Sequence, residues 1–222
     1  VSIRPFIVTI DGPAGVGKST LAAKIAHSLK IAYLDTGAMF RAVGWMMSLE
    51  NENPDQKQIE HLILNMTFGL SGTGWNSQVI LNGRELGAEI RTEEAGMMAS
   101  KVGQIKEVRT FLKQAQQNIG RKVSLVAEGR DMGSVVFPDA QYKFFLDASA
   151  EIRADRRKKQ LERSGTKADY DSILTLIRQR DEQDRNRPIA PLKPARDAII
   201  INTGPHDLEG VYQAIKGYIQ PG

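Results

Sequence analysis

The chain has 222 residues, and its 30 Lys and Arg exceed its 26 Asp and Glu by enough for a net charge of only +4, an excess that small anionic ligands accommodate without calling for nucleic acid. There is no cysteine, which excludes disulfides, thiolate catalysis and cysteine-ligated metals, and the three histidines, His27, His61 and His206, are too scattered to show metal-ligand spacing. At 41% hydrophobic and 25% charged, with no apolar run of transmembrane length and no signal-type opening, it reads as a soluble cytoplasmic enzyme of one large domain or one plus an insert.

The first predicted element is a buried strand at Phe6–Asp11, where β-branched and aromatic residues cluster. It runs into GPAGVGKS, residues 12–19, a full match to G-x-x-x-x-G-K-[ST]. Leu21, Ile25 and Leu29, joined by Ala22 and Ala26, then predict a helix over 17–30. Strand, glycine loop and helix is the context in which this pattern cradles phosphates. Gly12, Gly15 and Gly17 let backbone amides approach the phosphates. The helix start adds partial positive charge. Lys18 adds a full charge, and Ser19 offers a hydroxyl to Mg2+. The plainer alternative is a glycine turn that only starts a helix.

A second strand is predicted at Ile31–Asp35 and a helix at 38–49. The segment LDTGAMFR, 34–41, puts Asp35 and Thr36 in the turn between them and Arg41 one turn into the helix. Asn51 to Gln58 reads as a linker. Residues 65–90 alternate apolar and polar, with turn signals at Gly72–Gly74 and Asn82–Gly83, and predict an antiparallel insert of two or three strands. A helix is predicted over 92–119. The strand Val123–Glu128 leads into VAEGRDMGSVVF, 126–137, which sets Glu128, Arg130 and Asp131 just past a strand end. Gly129 and Gly133 flank them and favour close approach of a ligand.

A strand at Tyr142–Asp147 and a helix over 149–163 follow. Residues 151–167, EIRADRRKKQLERSGTK, hold seven Lys or Arg against three acids, with Arg153, Arg156 and Arg157 on the first two turns. Such a basic segment suits a lid over a triphosphate; a solvated or nucleic-acid-binding face is the alternative. The helix over 169–185 carries RQRDEQDRNR at 178–187, where Arg178–Glu182 and Asp181–Arg185 read as i,i+4 pairs. Ile173, Ile177, Arg180, Asp184 and Arg187, spaced 4, 3, 4 and 3, form one stripe that begins apolar and turns charged. That reads as a helix leaving the core for a polar site, where arginine forks suit phosphate oxygens; a surface ion-pair ladder is the alternative. A strand at Ala198–Asn202 and a helix over 207–219 complete the chain. Strands alternating with helices predict an α/β fold with a parallel sheet covered on both faces. Its ligands belong beyond the carboxyl ends of the strands.

Taken together in order and spacing, IDGPAGVGKST, LDTGAMFR, GAEIRTEE, EGRDMGSVVFPDA, KFFLDAS and RDEQDRNRPIAPL resemble the bacterial cytidylate kinases, members of the nucleoside monophosphate kinase family. The resemblance implies a three-layer P-loop kinase core over about 1–36, 95–150 and 170–222. It also implies a monophosphate-binding region with the β insert over about 37–94, and a helical lid over about 151–169. The activity implied is transfer from ATP to CMP or dCMP, with Mg2+. Gly12, Pro13, Ala14, Gly15, Val16, Gly17, Lys18, Ser19 and Thr20 would hold the ATP phosphates. Arg41, Arg130 and Arg187 would hold the acceptor phosphate, and Ser100, Arg109 and Asp131 would read cytosine. Arg180 and Asp184 would contact the sugar, Thr36 would line the acceptor site, and Arg153 and Arg157 would act from the lid. Thr203 and Gly204 would lie near adenine. Ser19 would bind Mg2+ directly and Glu128 through a water.

Two positions depart from the family pattern: Phe40 stands where tyrosine is frequent and Glu128 where aspartate is usual. The expected partners are the nucleotides alone, acted on by a monomer, without nucleic acid or membrane. Two rivals stay open on the residues themselves, another small P-loop kinase and a nucleotide-dependent switch or nucleic-acid-stimulated ATPase. The lack of an N-K-x-D motif disfavours the switch.

Overall fold

Apolar β-branched runs form strands and the amphipathic runs between them form helices in the computed structural model, which describes residues 5–50 and 55–219. Along the chain these are β1 (Ile7–Asp11), α1 (Lys18–Leu29), β2 (Ala32–Asp35), α2 (Thr36–Glu50), α3 (Gln56–Leu64), β3 (Phe68–Ser71), β4 (Gln78–Leu81) and β5 (Arg84–Glu85). They continue with α4 (Glu93–Val102), α5 (Lys106–Gly120), β6 (Leu125–Gly129), β7 (Tyr142–Asp147), α6 (Ala150–Arg163), α7 (Tyr170–Asn186), β8 (Ile199–Asn202) and α8 (Leu208–Tyr218). Five strands make a parallel sheet in the order β2-β6-β1-β7-β8, and β3-β4-β5 make a small antiparallel sheet. The α/β class and the antiparallel insert are therefore as the sequence predicts. Among the described residues no helix is long and apolar enough to cross a membrane.

Two compact units divide the chain. The first comprises Val1–Ile7 and Ala26–Glu128. In it β2 pairs with β6 from Ala32↔Leu125 to Asp35↔Glu128, so Asp35 and Glu128 end their strands side by side. Leu34, Leu125, Val126, Met39, Val43, Val108 and Leu112 are buried together in its core. Hydrogen bonds that tie the insert to this frame include Gly74 N to Ile31 O at 2.9 Å and Tyr33 N to Ser77 Oγ at 2.8 Å. Asn82 and Gly83, both at positive φ, make the two-residue turn between β4 and β5.

Two expectations change here. The supposed linker ends in a helix start: Asp55 accepts from Gln58 N while Gln58 Oε1 accepts from Asp55 N, a capping box that opens α3. The rest of that linker, residues 51–54, lies outside the described residues. The single helix expected over 92–119 is two helices, α4 and α5. The break at Gly103 turns its carbonyl out of the helical ladder, where it accepts from buried Arg109 Nη1 at 3.1 Å.

The second unit comprises Val8–Ile25 and Gly129–Gly222. Val8 to Asp11 of β1 pair with Tyr142 to Phe145 of β7, and β7 pairs with β8 from Phe144↔Ile199 to Asp147↔Asn202. Leu21 and Ile25 of α1 and Ile215 of α8 are buried beside the sheet residues Val8, Ile10, Phe144 and Leu146. Helices α6 and α7 are joined by ion pairs: Arg178 meets Glu151, and Asp181 takes the guanidinium of Arg153. Arg178 and Asp181, read from spacing as partners within their own helix, thus reach across to α6. Packing brings charged partners closer than the helical repeat does.

Candidate functional site

The loop Gly12–Ser19 leaves β1 with Gly12, Gly15 and Gly17 all at positive φ. Gly12 admits no side chain: a Cβ there would lie 2.2 Å from Leu146 O. Helix α1 begins at Lys18, with Ser19 and Thr20 exposed at its start and no acid in its first turn. The positive end of its dipole therefore meets no carboxylate in the first turn, which favours an anion there. Lys18, 6% exposed, folds back to donate to Pro13 O at 2.7 Å.

Arg153 lies against this loop. Its Nη1 donates to Ala14 O at 3.0 Å, its Nε donates to Ala148 O at 3.0 Å, and it is 2% exposed. Arg157, on the next turn of α6, donates to Gln160 Oε1. Arg156 donates to Thr203 O at 2.7 Å and to Thr203 Oγ1 at 3.0 Å. Beside them is a hollow of about 230 Å³ lined by Val16, Gly17, Leu21, Arg156, Thr203 and His206 among others. Thr203 was expected there. His206 was not, because a histidine with no metal-ligand spacing carries no signal in sequence.

The turn after β6 and the end of α7 converge within the second unit. Arg130 Nε donates to Asp184 Oδ2 at 2.8 Å, and Arg187 Nη2 donates to Asp131 Oδ1 at 3.3 Å. Arg187 Nη1 lies 3.9 Å from Asp184 Oδ1. Burial pushes the Asp184 carboxyl upward, but Arg130, Arg187 and Arg180 outweigh it and hold the group below the ordinary carboxylate range. The charged stripe is thus partly as read. Ile177 is buried and Asp184 half-buried, but Arg180 is exposed. Arg187 is the residue after the helix, with extended backbone, and its side chain returns to the network.

Sequence reasoning did not single out Asp11. It is 3% exposed, and its Oδ1 and Oδ2 accept from Met132 N and Gly133 N, both at 2.8 Å. Burial raises its pKa to about 6 against the lowering effect of those two bonds and of Lys18, with the Asp131 charge adding to the rise.

The remaining predicted residues belong to the first unit. Asp35 Oδ1 caps α2 by accepting from Ala38 N at 2.9 Å, and its Oδ2 accepts from Arg41 Nη2 at 2.8 Å. Arg41 Nε is buried and has no acceptor among the described residues. Thr36 Oγ1 donates to Glu128 O at 2.6 Å, and Tyr33 Oη donates to Glu128 Oε1 at 2.6 Å. The Arg109 guanidinium lies 5.6 Å from the Phe40 ring centroid. Ser100 is half-buried on α4.

Among the described residues no three His, Cys, Asp or Glu side chains gather as a metal cage. In a magnesium–nucleotide complex the ion would keep waters and phosphate oxygens and take few protein ligands. The exposed Ser19 hydroxyl at the start of α1 is the protein oxygen that suits it.

The chain matches the family described as Cytidylate kinase over residues 8–221. It is 55% identical to a cytidylate kinase of Oleidesulfovibrio alaskensis, covering 97% of this chain and 98% of that one. It is 42% identical to a cytidylate kinase of Pasteurella multocida, covering 97% and 95%. In fold it is similar to the crystal structure of an uncharacterized protein from Eubacterium ventriosum, with a TM-score of 0.56, 14% identity and coverage of 97% and 98%.

Proposed function

The chain belongs to the cytidylate kinase family of nucleoside monophosphate kinases, and from that premise we propose that it transfers the γ-phosphoryl group of ATP directly to CMP and dCMP, giving ADP and CDP or dCDP. The observation that carries the reading is the network of Arg130, Asp131, Asp184 and Arg187. Its two guanidinium groups, half-buried and oriented by carboxylates, support an anionic acceptor. The enzyme acts as a cytoplasmic monomer on these nucleotides, without nucleic acid or membrane.

The attacking oxygen belongs to a phosphate whose second pKa is about 6, so it is largely ionised near neutrality and needs no general base. The difficulty is repulsion between two anions, and catalysis is positioning plus charge stabilisation. Amides of residues 12–20 and Lys18 hold the ATP phosphates. Arg41, Arg130 and Arg187 hold the acceptor phosphate; Arg180 and Asp184 contact its sugar, and Thr36 lines its site. Arg153, bonded to the Ala14 carbonyl, and Arg157 stabilise charge from the loop side. Ser19, and Glu128 through a water, would hold Mg2+, which would supply neutralising charge to the phosphate oxygens. The basic segment 151–169 closes as a lid and excludes water that would hydrolyse ATP.

Base choice follows from donors and acceptors. Asp131, with Ser100 and Arg109, reads the cytosine edge, whose exocyclic amine donates to a carboxylate. Uracil presents a carbonyl there and is rejected. The hollow beside Arg156, Thr203 and His206 takes the adenine of ATP. The test is a coupled assay of ADP release with MgATP and each nucleoside monophosphate, with a no-acceptor control. Release confined to CMP and dCMP is expected. Release without an acceptor, or with AMP, GMP or UMP at equal efficiency, overturns the reading.

A further inference from the structure

A wide helical turn at Met132–Val136 follows directly on Arg130 and Asp131 and sets the backbone behind both side chains. Its first amides need acceptors from outside the turn, as at any helical start. By position Asp131 should supply one, because aspartate is a preferred cap. Its side chain makes no capping bond. The Asp131 carboxylate accepts from Arg187, and its backbone carbonyl accepts from the amides of Val135 and Val136.

The cap comes from Asp11, at the end of β1 and next to Gly12. Its two oxygens accept from two consecutive amides, Met132 and Gly133, each at 2.8 Å. Only a carboxylate can accept at both ends; an amide of the same shape would turn an NH2 group against one N–H. Burying that carboxylate beside Asp131 is unfavourable. Capping for stability alone would be met by a neutral side chain on the turn itself.

We infer that Asp11 is a positioning residue for the acceptor. By capping the turn in place of Asp131, it keeps the Asp131 carboxylate directed to Arg187 and to the acceptor's base. The same carboxylate joins the end of β1, just before the phosphate loop, to the turn behind Arg130 and Asp131. The inference rests on the cytidylate kinase reading. When Asp11 is altered, the amides of Met132 and Gly133 recruit Asp131 as a local cap and withdraw it from the acceptor.

The experiment compares wild type with Asp11→Asn and with Gly133→Ala, each shown to be folded by circular dichroism. Gly133→Ala displaces the same turn while leaving the Asp11 side chain in place, since a Cβ there would lie 2.8 Å from Thr9 Oγ1 and 3.2 Å from Lys143 Cδ. Steady-state constants are measured for ATP, CMP and UMP. The expected result is a KM for CMP raised about tenfold, a preference for CMP over UMP reduced by a similar factor, and an unchanged KM for ATP. Wild-type KM for CMP and wild-type base preference in the folded variants overturn the inference. So does a fall in kcat alone, or an equal rise in both KM values. If Asp11→Asn does not fold, Gly133→Ala decides the matter by the same readout. If wild type itself does not turn over CMP, the functional reading fails, and that is seen before any variant is made.

Discussion

Arg153 and Asp181 are joined through both carboxylate oxygens, Nη1 to Oδ1 at 3.0 Å and Nη2 to Oδ2. The guanidinium also reaches the Ala14 carbonyl of the phosphate loop, so one buried arginine ties α6, α7 and that loop together. Removing one member leaves the other charge buried without its partner. Arg153→Ala and Asp181→Ala should each destabilise the protein by about 3 kcal/mol, and the double variant by less than the sum. Urea denaturation measures all three. Additive losses would mean that the pair acts as two independent contacts.

This pair also shows where sequence reading stops. The phosphate loop, the parallel strands and the Asn82–Gly83 turn were legible because each is written in consecutive residues. The capping box at Asp55 and Gln58 was equally local, yet was hidden by a polar run that reads as linker. The break at Gly103 was masked because apolar spacing continues through Val102, Ile105 and Val108. Asp11 and Gly133, or Arg153 and Asp181, meet only after packing, and no local period marks either partner. The charged residues at helical spacing include Asp184 and Arg187, which meet Arg130 and Asp131, but spacing misassigned Arg178 and Asp181 to neighbours on their own helix.

On the proposed function, Lys18 and Arg187 would carry charge for opposite halves of the reaction. Lys18→Ala and Arg187→Ala should each lower kcat/KM by about 100-fold or more while the protein stays folded. The loss should fall on ATP for Lys18→Ala and on CMP for Arg187→Ala. Coupled assays on samples with wild-type circular dichroism check this. Near-normal activity in either folded variant removes that residue from the mechanism.

Tyr33 donates to the buried carboxylate of Glu128, which is 5% exposed. Tyr33→Phe removes the hydroxyl and little else. Stability should fall by about 1–2 kcal/mol, because a desolvated carboxylate loses one of its donors. In a Glu128→Gln background the same substitution should cost less, since a neutral amide suffers less from a missing donor. Equal losses in the two backgrounds would separate Tyr33 from the acid.

Asp11 makes stability depend on pH with a definite sign. Its folded pKa, raised to about 6 by burial and by Asp131 against the pull of two amides and Lys18, lies above the ordinary 3.8. The native state therefore binds this proton more tightly than the unfolded chain does. The stabilisation is fully present below pH 3.8 and is lost as pH rises through about 6. The gap corresponds to about 3 kcal/mol. Asp11→Asn lacks this proton, while the other titrating groups cancel when the variant is compared with wild type. Urea denaturation of both proteins between pH 4 and pH 8 should show the stability difference moving in favour of Asp11→Asn as pH rises, by up to about 3 kcal/mol. A difference that stays flat across that range would mean that the Asp11 carboxyl does not titrate in the folded protein near pH 6. A difference moving the other way would mean that its two backbone bonds outweigh its burial.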